Sequence, residues 1–306
     1  MLKLGIIGLS PGNGHPYSWA AIFNGYDRAE MKKCPFPLIP DYLDKQNPAD
    51  VRIPDAKVTH IWTQDVEISR SVARSSLIQN IVDNMVDMIG EVDAVILARD
   101  DGENHLEMAR PFIEAGLPIL IDKPLTDQAN HLGEFVRYYE QGKPIMSCSS
   151  MRYSPAFVEL KQGNPIGRIL TVSAVTPKYW RTYGIHLVEG VCTVMGVGIE
   201  SVQNVGRPGE EIVHLQYSDG RHAVLQSFAK ITSGLVTFFG ENGAATPQDP
   251  DAFLQFKNML AHFVEMLKTG KAPFDWHETV EMSKIVIAGR ISMDESGRVV
   301  HLDEIA

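Results

Sequence analysis

The chain has 306 residues, 44% of them hydrophobic and 22% charged, and a formal net charge of -10. That length holds two domains with separate cores, and the acidic balance excludes a broad nucleic-acid or anionic-membrane surface. Cys34, Cys148 and Cys192 are scattered without a C-x-x-C pair, so neither a disulfide framework nor a zinc knuckle is expected, and a reducing cytoplasm fits.

The sequence runs from Lys3 directly into an apolar strand, with too short an apolar start for a signal peptide. No later run approaches the roughly 20 residues of a membrane span. Leu2 to Leu9 reads as a buried strand. A glycine-rich turn from Ser10 to His15 and a helix from Pro16 to Tyr26 follow it. Strand, glycine turn and helix suit a dinucleotide, because glycines let the backbone approach a pyrophosphate at the helix N-terminus. Gly8, Ser10, Pro11, Gly12, Asn13 and Gly14 are the candidate contacts. The spacing is not G-x-G-x-x-G: counted from Gly8, the second and third glycine positions hold Ser10 and Asn13. A plain tight turn is the other reading.

Residues 27–56 are rich in proline and charge and read as a long insertion, either functional or a surface excursion. Lys57 to Trp62 is the second strand. Asp65, with Thr63 beside it, stands where a carboxylate accepts from adenosine ribose hydroxyls and repels a 2′-phosphate, which leans the cofactor toward NAD(H) over NADP(H). Alternatively Asp65 caps a helix from Val66 to Ala73. Apolar spacing predicts a further helix from Ile78 to Ile89. Val92 to Ala98 is an apolar strand, followed by a polar loop to His105, a helix from Leu106 to Ala115 stopped by Gly116, and a strand from Leu117 to Ile121. Ligands bind at the carboxyl ends of such strands. Ala98, Arg99, Asp100, His105, Asp122, Lys123 and Pro124 are therefore candidate cofactor contacts. Lys123, framed by Asp122 and Pro124, is a candidate proton donor or hydroxyl-orienting group; the alternative is a solvated surface lysine.

A helix from Ala129 to Gln141 and a short strand from Pro144 to Cys148 come next. Five strands are then expected within 169–239, with a hairpin turn at Ser218-Asp219-Gly220. Amphipathic helices run from Phe253 to Leu267 and from Thr279 to Arg290. The ten histidines show no metal-ligand spacing, so no metal is expected.

The run VDAVILA, the loop ending in His105 and the stretch EAGLPILIDKPL together resemble the Gfo/Idh/MocA family of nicotinamide-dependent oxidoreductases. The family's Glu-Lys-Pro signature is here Asp122-Lys123-Pro124. Arg152-Tyr153-Ser154-Pro155 resembles its Arg-aromatic-x-Pro segment, and Gly184-Ile185-His186-Leu187-Val188-Glu189 its Gly-x-His-x-x-Asp run. The resemblance implies His186 as acid/base at a substrate carbinol, with Arg152, Trp180, Arg181, Tyr183 and Glu189 on the substrate side. Thr182 stands where many dehydrogenase members place an aspartate, four residues before the histidine. Structural roles for Arg152 and His186 remain the alternatives.

The expected fold is α/β: an N-terminal Rossmann dinucleotide-binding domain (1–123) and a C-terminal α+β domain (124–306) with a largely antiparallel open sheet. The last long helix is expected to return to the first domain, and the open sheet to join a homo-oligomer, dimer or tetramer. The expected function is NAD(P)-dependent hydride transfer with a polyol, sugar or related hydroxy compound as the small-molecule substrate. A redox-assisted lyase or glycosidase, and a non-catalytic ligand-binding relative, are the alternatives.

Overall fold

The computed structural model describes residues 1–248 and 251–305. In chain order the first elements are β1 (Leu2–Gly8), α1 (His15–Asn24), α2 (Arg28–Met31), α3 (Leu38–Leu43), β2 (Ala56–Thr63), α4 (Val66–Ser75) and β3 (Asn80–Ile81). Then come β4 (Ala94–Leu97), α5 (His105–Glu114), β5 (Ile119–Ile121), α6 (Ala129–Glu140), β6 (Ile145–Ser147) and α7 (Pro155–Gly163). The rest are β7 (Ile169–Pro177), α8 (Ile185–Met195), β8 (Ile199–Asn204), β9 (Glu210–Tyr217), β10 (His222–Phe228), β11 (Leu235–Gly240), β12 (Gly243–Ala245), α9 (Ala252–Thr269), α10 (Trp276–Asp294) and β13 (Val300–His301). No described helix is long and apolar enough to cross a membrane.

The chain forms two compact units. The first comprises Met1–Asp122, Arg137–Ser147 and Asp251–Pro273. Its six-stranded sheet has the order β3-β2-β1-β4-β5-β6, and every pairing is parallel. The middle strands β4 and β5 are buried along their whole length, which is why they read as continuous apolar runs. The unit's first segment ends at Asp122, and the two later segments complete it. β6 pairs with β5 in the same sheet, so the chain re-enters the first unit after leaving it. The helix that returns from the C-terminal region is α9, whose contacts include α1 and α3; α10, the last long helix, belongs to the second unit.

The expected helix over Ile78–Ile89 does not form. Asn80 and Ile81 pair with His60 and Ile61 as an edge strand, and a 3₁₀ turn follows at Met85–Met88. Asn84 and Asp87 make a reciprocal capping box around that turn. Side chains that bond the local backbone compete with an α-helix, and only Ile78 and Met88 of the apolar set are buried. The insertion is ordered. Phe36 and Ile39 lie so close to Gly14 that a Cβ there would sit 2.7 and 2.6 Å from their side chains. Lys268 pairs with Asp55 at 2.6 Å, fixing the insertion's far end to α9.

The second unit comprises Lys123–Val136, Cys148–Pro250 and Phe274–Ala306. Its seven-stranded sheet has the order β12-β11-β7-β10-β9-β8-β13. All pairings are antiparallel except β7 with β10. The Ser218-Asp219-Gly220 turn joins β9 to β10 as expected, with Gly220 in the left-handed region at φ 86°. One face carries the buried Val213, Leu215, Ala223 and Leu225, and the opposite face holds Ile212, Val175, Leu235 and Phe239.

Asn24, at the end of α1, ties that helix to β2 and to the chain just past α4. Its amide donates to Val58 O at 2.8 Å and Ser76 O at 2.9 Å, and its oxygen accepts from Val58 N at 3.0 Å. Asn24→Ala strands buried donors and acceptors, so it should lower stability by roughly 2–4 kcal/mol. Urea unfolding followed by tryptophan fluorescence checks this; an unchanged midpoint contradicts it.

Candidate active site

The cofactor-side candidates lie at the carboxyl edge of the first sheet, where the glycine turn is held by side chains. Ser10 is buried; its hydroxyl donates to Asp100 Oδ1 at 2.5 Å and accepts from Asp100 N at 3.0 Å. Asn13 Nδ2 donates to Asp122 Oδ2 at 3.0 Å. His15 Nδ1 meets the same oxygen at 2.5 Å. Asp122 is 2% exposed, so its charge depends on these partners. Gln64 grips the Leu9 backbone at both ends, donating to its carbonyl at 2.6 Å and accepting its N–H at 3.0 Å. Arg99 adds a second donor to Leu9 O at 3.1 Å and is itself paired with Asp101.

These features fit a dinucleotide. A Cβ on Gly8 would lie 2.4 Å from Pro16 Cγ, so glycine lets the first strand and α1 pack tightly. Gly12, at φ 81°, has open space where a Cβ would be, which leaves its backbone approachable. Asp65 is exposed. It caps α4 by accepting from Glu67 N at 2.8 Å through Oδ1. The cap therefore forms, and the carboxylate still faces water. Other candidates serve the scaffold. The Thr63 hydroxyl bonds Asp65 O at 2.6 Å and Ser69 Oγ at 2.8 Å. His105 is fully buried, with Nε2 at 3.1 Å from Arg99 O. Ala98 is buried as well, and Pro124 is joined to Lys123 by a cis peptide bond.

The chemical candidates of the second unit form one cluster. Lys123 is 3% exposed, and its Nζ lies 5.3 Å from the centroid of the Tyr183 ring. Lys178 Nζ donates to the Tyr183 hydroxyl at 2.5 Å. Tyr183 meets the His186 ring edge-on, with centroids 4.9 Å apart. His186 Nδ1 lies 2.7 Å from Ser149 Oγ. Ser149 Oγ also accepts from Met151 N, and Ser149 N donates to Glu189 Oε2 at 3.1 Å. Lys123 and His186 thus share one aromatic neighbour, and Ser149 fixes the imidazole from behind. Thr182 bonds backward to Tyr179 O instead, so Ser149 holds the imidazole nitrogen in this chain.

Glu189 and Arg152 work as a buried pair. Arg152 Nε donates to Glu189 Oε1 at 2.5 Å, Nη1 to Glu278 Oε2 at 2.5 Å, and its guanidinium stacks on Phe274 at 4.0 Å. Burial pushes the Glu189 carboxyl up, against the pull of Arg152 and the Ser149 N–H. Arg152 is therefore the ion-paired arginine of the alternative reading, and Glu189 supports Ser149. Trp180 is buried against α10. It is 2% exposed, Nε1 donates to Val286 O at 3.1 Å, and Gly184 and Gly289 make room for its ring. Arg181 pairs with Asp127 and stays partly exposed. Ser149, Gln64 and His15 were not among the sequence-derived site residues. Their only sequence signal is position: Gln64 directly follows β2, Ser149 lies two residues past β6, and His15 opens α1.

Residues 2–148 match the family described as "Oxidoreductase family, NAD-binding Rossmann fold", GFO_IDH_MocA. Inositol 2-dehydrogenase 1 of Saccharopolyspora erythraea is 34% identical over 88 residues, which is 28% of this chain and 26% of that protein. The match thus spans about a quarter of that relative's length. A probable dehydrogenase from Thermotoga maritima shares the fold over 100% of both chains, with TM-score 0.76 and 16% identity. The scyllo-inositol dehydrogenase of Lactobacillus casei, solved with NAD(H) and scyllo-inositol, covers 99% of each chain at TM-score 0.74 and 13% identity. The match over residues 2–148 and the six-stranded parallel sheet identify the first unit's main segment as an NAD-binding Rossmann fold of the Gfo/Idh/MocA oxidoreductase type.

Proposed function

We propose that this protein is an NAD-dependent dehydrogenase that oxidises a CH–OH group of a polyol or related cyclic hydroxy compound. The observation that carries the reading is the Lys123–Tyr183–His186–Ser149 cluster. Curated relatives named inositol 2-dehydrogenase support the polyol class. A bound nicotinamide dinucleotide supplies the hydride acceptor. The backbone around Gly12 and the carboxylates of Asp65 and Asp100 are the groups assigned to hold it, and Asp65 favours NAD(H) by repelling a 2′-phosphate.

The chain's own residues handle the substrate oxygen. The Lys123 ammonium donates to the hydroxyl oxygen and offsets the negative charge that grows there as the carbon is oxidised. His186 takes the hydroxyl proton. When its Nδ1–H donates to Ser149 Oγ, Nε2 carries the accepting lone pair, and in that tautomer the imidazole can act as base. Tyr183 fixes the position of both groups, held in turn by Lys178.

The open face of the second sheet is the proposed self-association surface. Ile212, Val175, Leu235 and Phe239 give it an apolar stripe, and Gln226 lies in register between Ile212 and Val175.

Titration with NADH and NADPH, followed by a polyol and sugar screen, tests the reading, with NADH expected to bind the tighter. Lys123→Ala and His186→Asn should each lower kcat by about 10²- to 10⁴-fold while NADH still binds. Full turnover by Lys123→Ala rules the mechanism out, and absence of binding of either cofactor favours a non-catalytic relative. Ser149→Ala should lower kcat by up to about a hundredfold through misplacement of the imidazole, with Ser149→Thr restoring most of it. For the sheet face, sedimentation velocity should find that Leu235→Asp with Ile212→Asp releases monomers from a wild-type oligomer; a monomeric wild type refutes the interface.

A further inference from the structure

We propose that His15 is a cofactor-binding residue whose imidazole, seated on Asp122, takes over the contact with the dinucleotide's pyrophosphate that backbone amides of α1 would otherwise make. The inference rests on the dinucleotide-binding reading above and deepens it.

A helix that follows the first strand of such a sheet holds a pyrophosphate through the free N–H groups of its first turn. In this chain those groups are withdrawn. The His15 N–H is bonded to Asn13 Oδ1 at 2.7 Å. Pro16 has no N–H, nor has Pro11 in the loop before it. Tyr17 N and Ser18 N both donate to Gly14 O, at 3.1 and 3.3 Å. The helix end has capped itself, and an anion arriving there finds few main-chain donors.

A side chain stands in their place. His15 is the first residue of α1. Its Nδ1–H donates to Asp122 Oδ2 at 2.5 Å, which leaves Nε2 as the nitrogen available to a ligand. Among the described residues, none is bonded to Nε2. The ring is stacked on Trp19, with centroids 4.4 Å apart and planes 14° apart, and Phe256 meets it edge-on at 5.1 Å. It is clamped on two sides yet not sealed, for 18% of the side chain remains exposed. The Asp122 carboxylate offsets the charge of a doubly protonated ring, and in that state Nε2 gives a phosphate oxygen a charge-assisted hydrogen bond. Two departures from a regular glycine loop, Asn13 in a glycine position and His15 after Gly14, then share one explanation with the aspartate at 122.

Two substitutions separate the ring's two nitrogens. His15→Asn puts an amide where Nδ1 is and nothing where Nε2 is. His15→Gln reaches Nε2's place. Calorimetric titration of the full chain with NADH, and with adenosine as a phosphate-free probe, is the test. His15→Asn should bind NADH about tenfold weaker or worse and adenosine as wild type does, and His15→Gln should recover much of the NADH affinity. NADH affinity within twofold of wild type in His15→Asn overturns the proposal. Equal weakening for NADH and adenosine also overturns it, because that pattern means a collapsed loop. A wild-type protein that binds neither NADH nor NADPH overturns the dinucleotide reading itself, an outcome distinct from the other two.

Discussion

One buried carboxylate organises the ligand edge of the first unit. Asp122 ends a strand that is buried on both faces, and an unpaired charge there would cost several kcal/mol. Asn13, in the turn after β1, and His15, at the start of α1, answer that demand. The turn is consequently fixed by polar side chains as well as by glycine flexibility. Ser10 ties it to Asp100, while Gln64 and Arg99 hold Leu9. The insertion reinforces it from behind through Phe36 and Ile39 at Gly14.

The second unit repeats the same logic with different residues. A buried arginine lies between two glutamates, and one of those glutamates receives the N–H of Ser149. Breaking such a pair from one side leaves an uncompensated charge, so the arrangement is rigid as a whole. That rigidity passes through Ser149 to His186. A neutral hydroxyl behind the imidazole orients it without adding the negative charge that a carboxylate would bring.

Much of this was legible in the residues. The apolar runs of β1, β4 and β5, the glycine stop after α5 and the Asp-Gly turn between β9 and β10 are local signals, and local chemistry decides them. The Asp122-Lys123-Pro124 run marks the carboxyl end of β5 in the sequence alone. What sequence could not supply was long-range pairing. The addition of β6 to the first sheet depends on hydrogen bonds to β5, so a boundary at 123 looked natural. The resemblance puts Trp180 on the substrate side; its burial depends on two glycines that accept its ring, one of them more than a hundred residues away. Ser149 is one serine among several, and only the fold brings it to His186. The false helix over Ile78–Ile89 has a local cause: Asn84 and Asp87 bond the backbone more favourably in a tight turn than in an α-helix.

The return of α9 to the first unit has a consequence for how the protein is made. The residues that match the oxidoreductase family end at 148, yet α9 lies at 252–269 and contacts α1 and α3. A ribosome adding about 5–20 residues per second needs on the order of ten seconds to synthesise the intervening chain. During that interval the sheet has all six strands but lacks one of its covering helices. Phe256 and its neighbours have yet to reach His15 and Trp19, so the aromatic clamp closes last. Until α9 is made, the first unit leaves uncovered the apolar surface on which that helix packs, and the surroundings of His15 acquire their final form only afterwards.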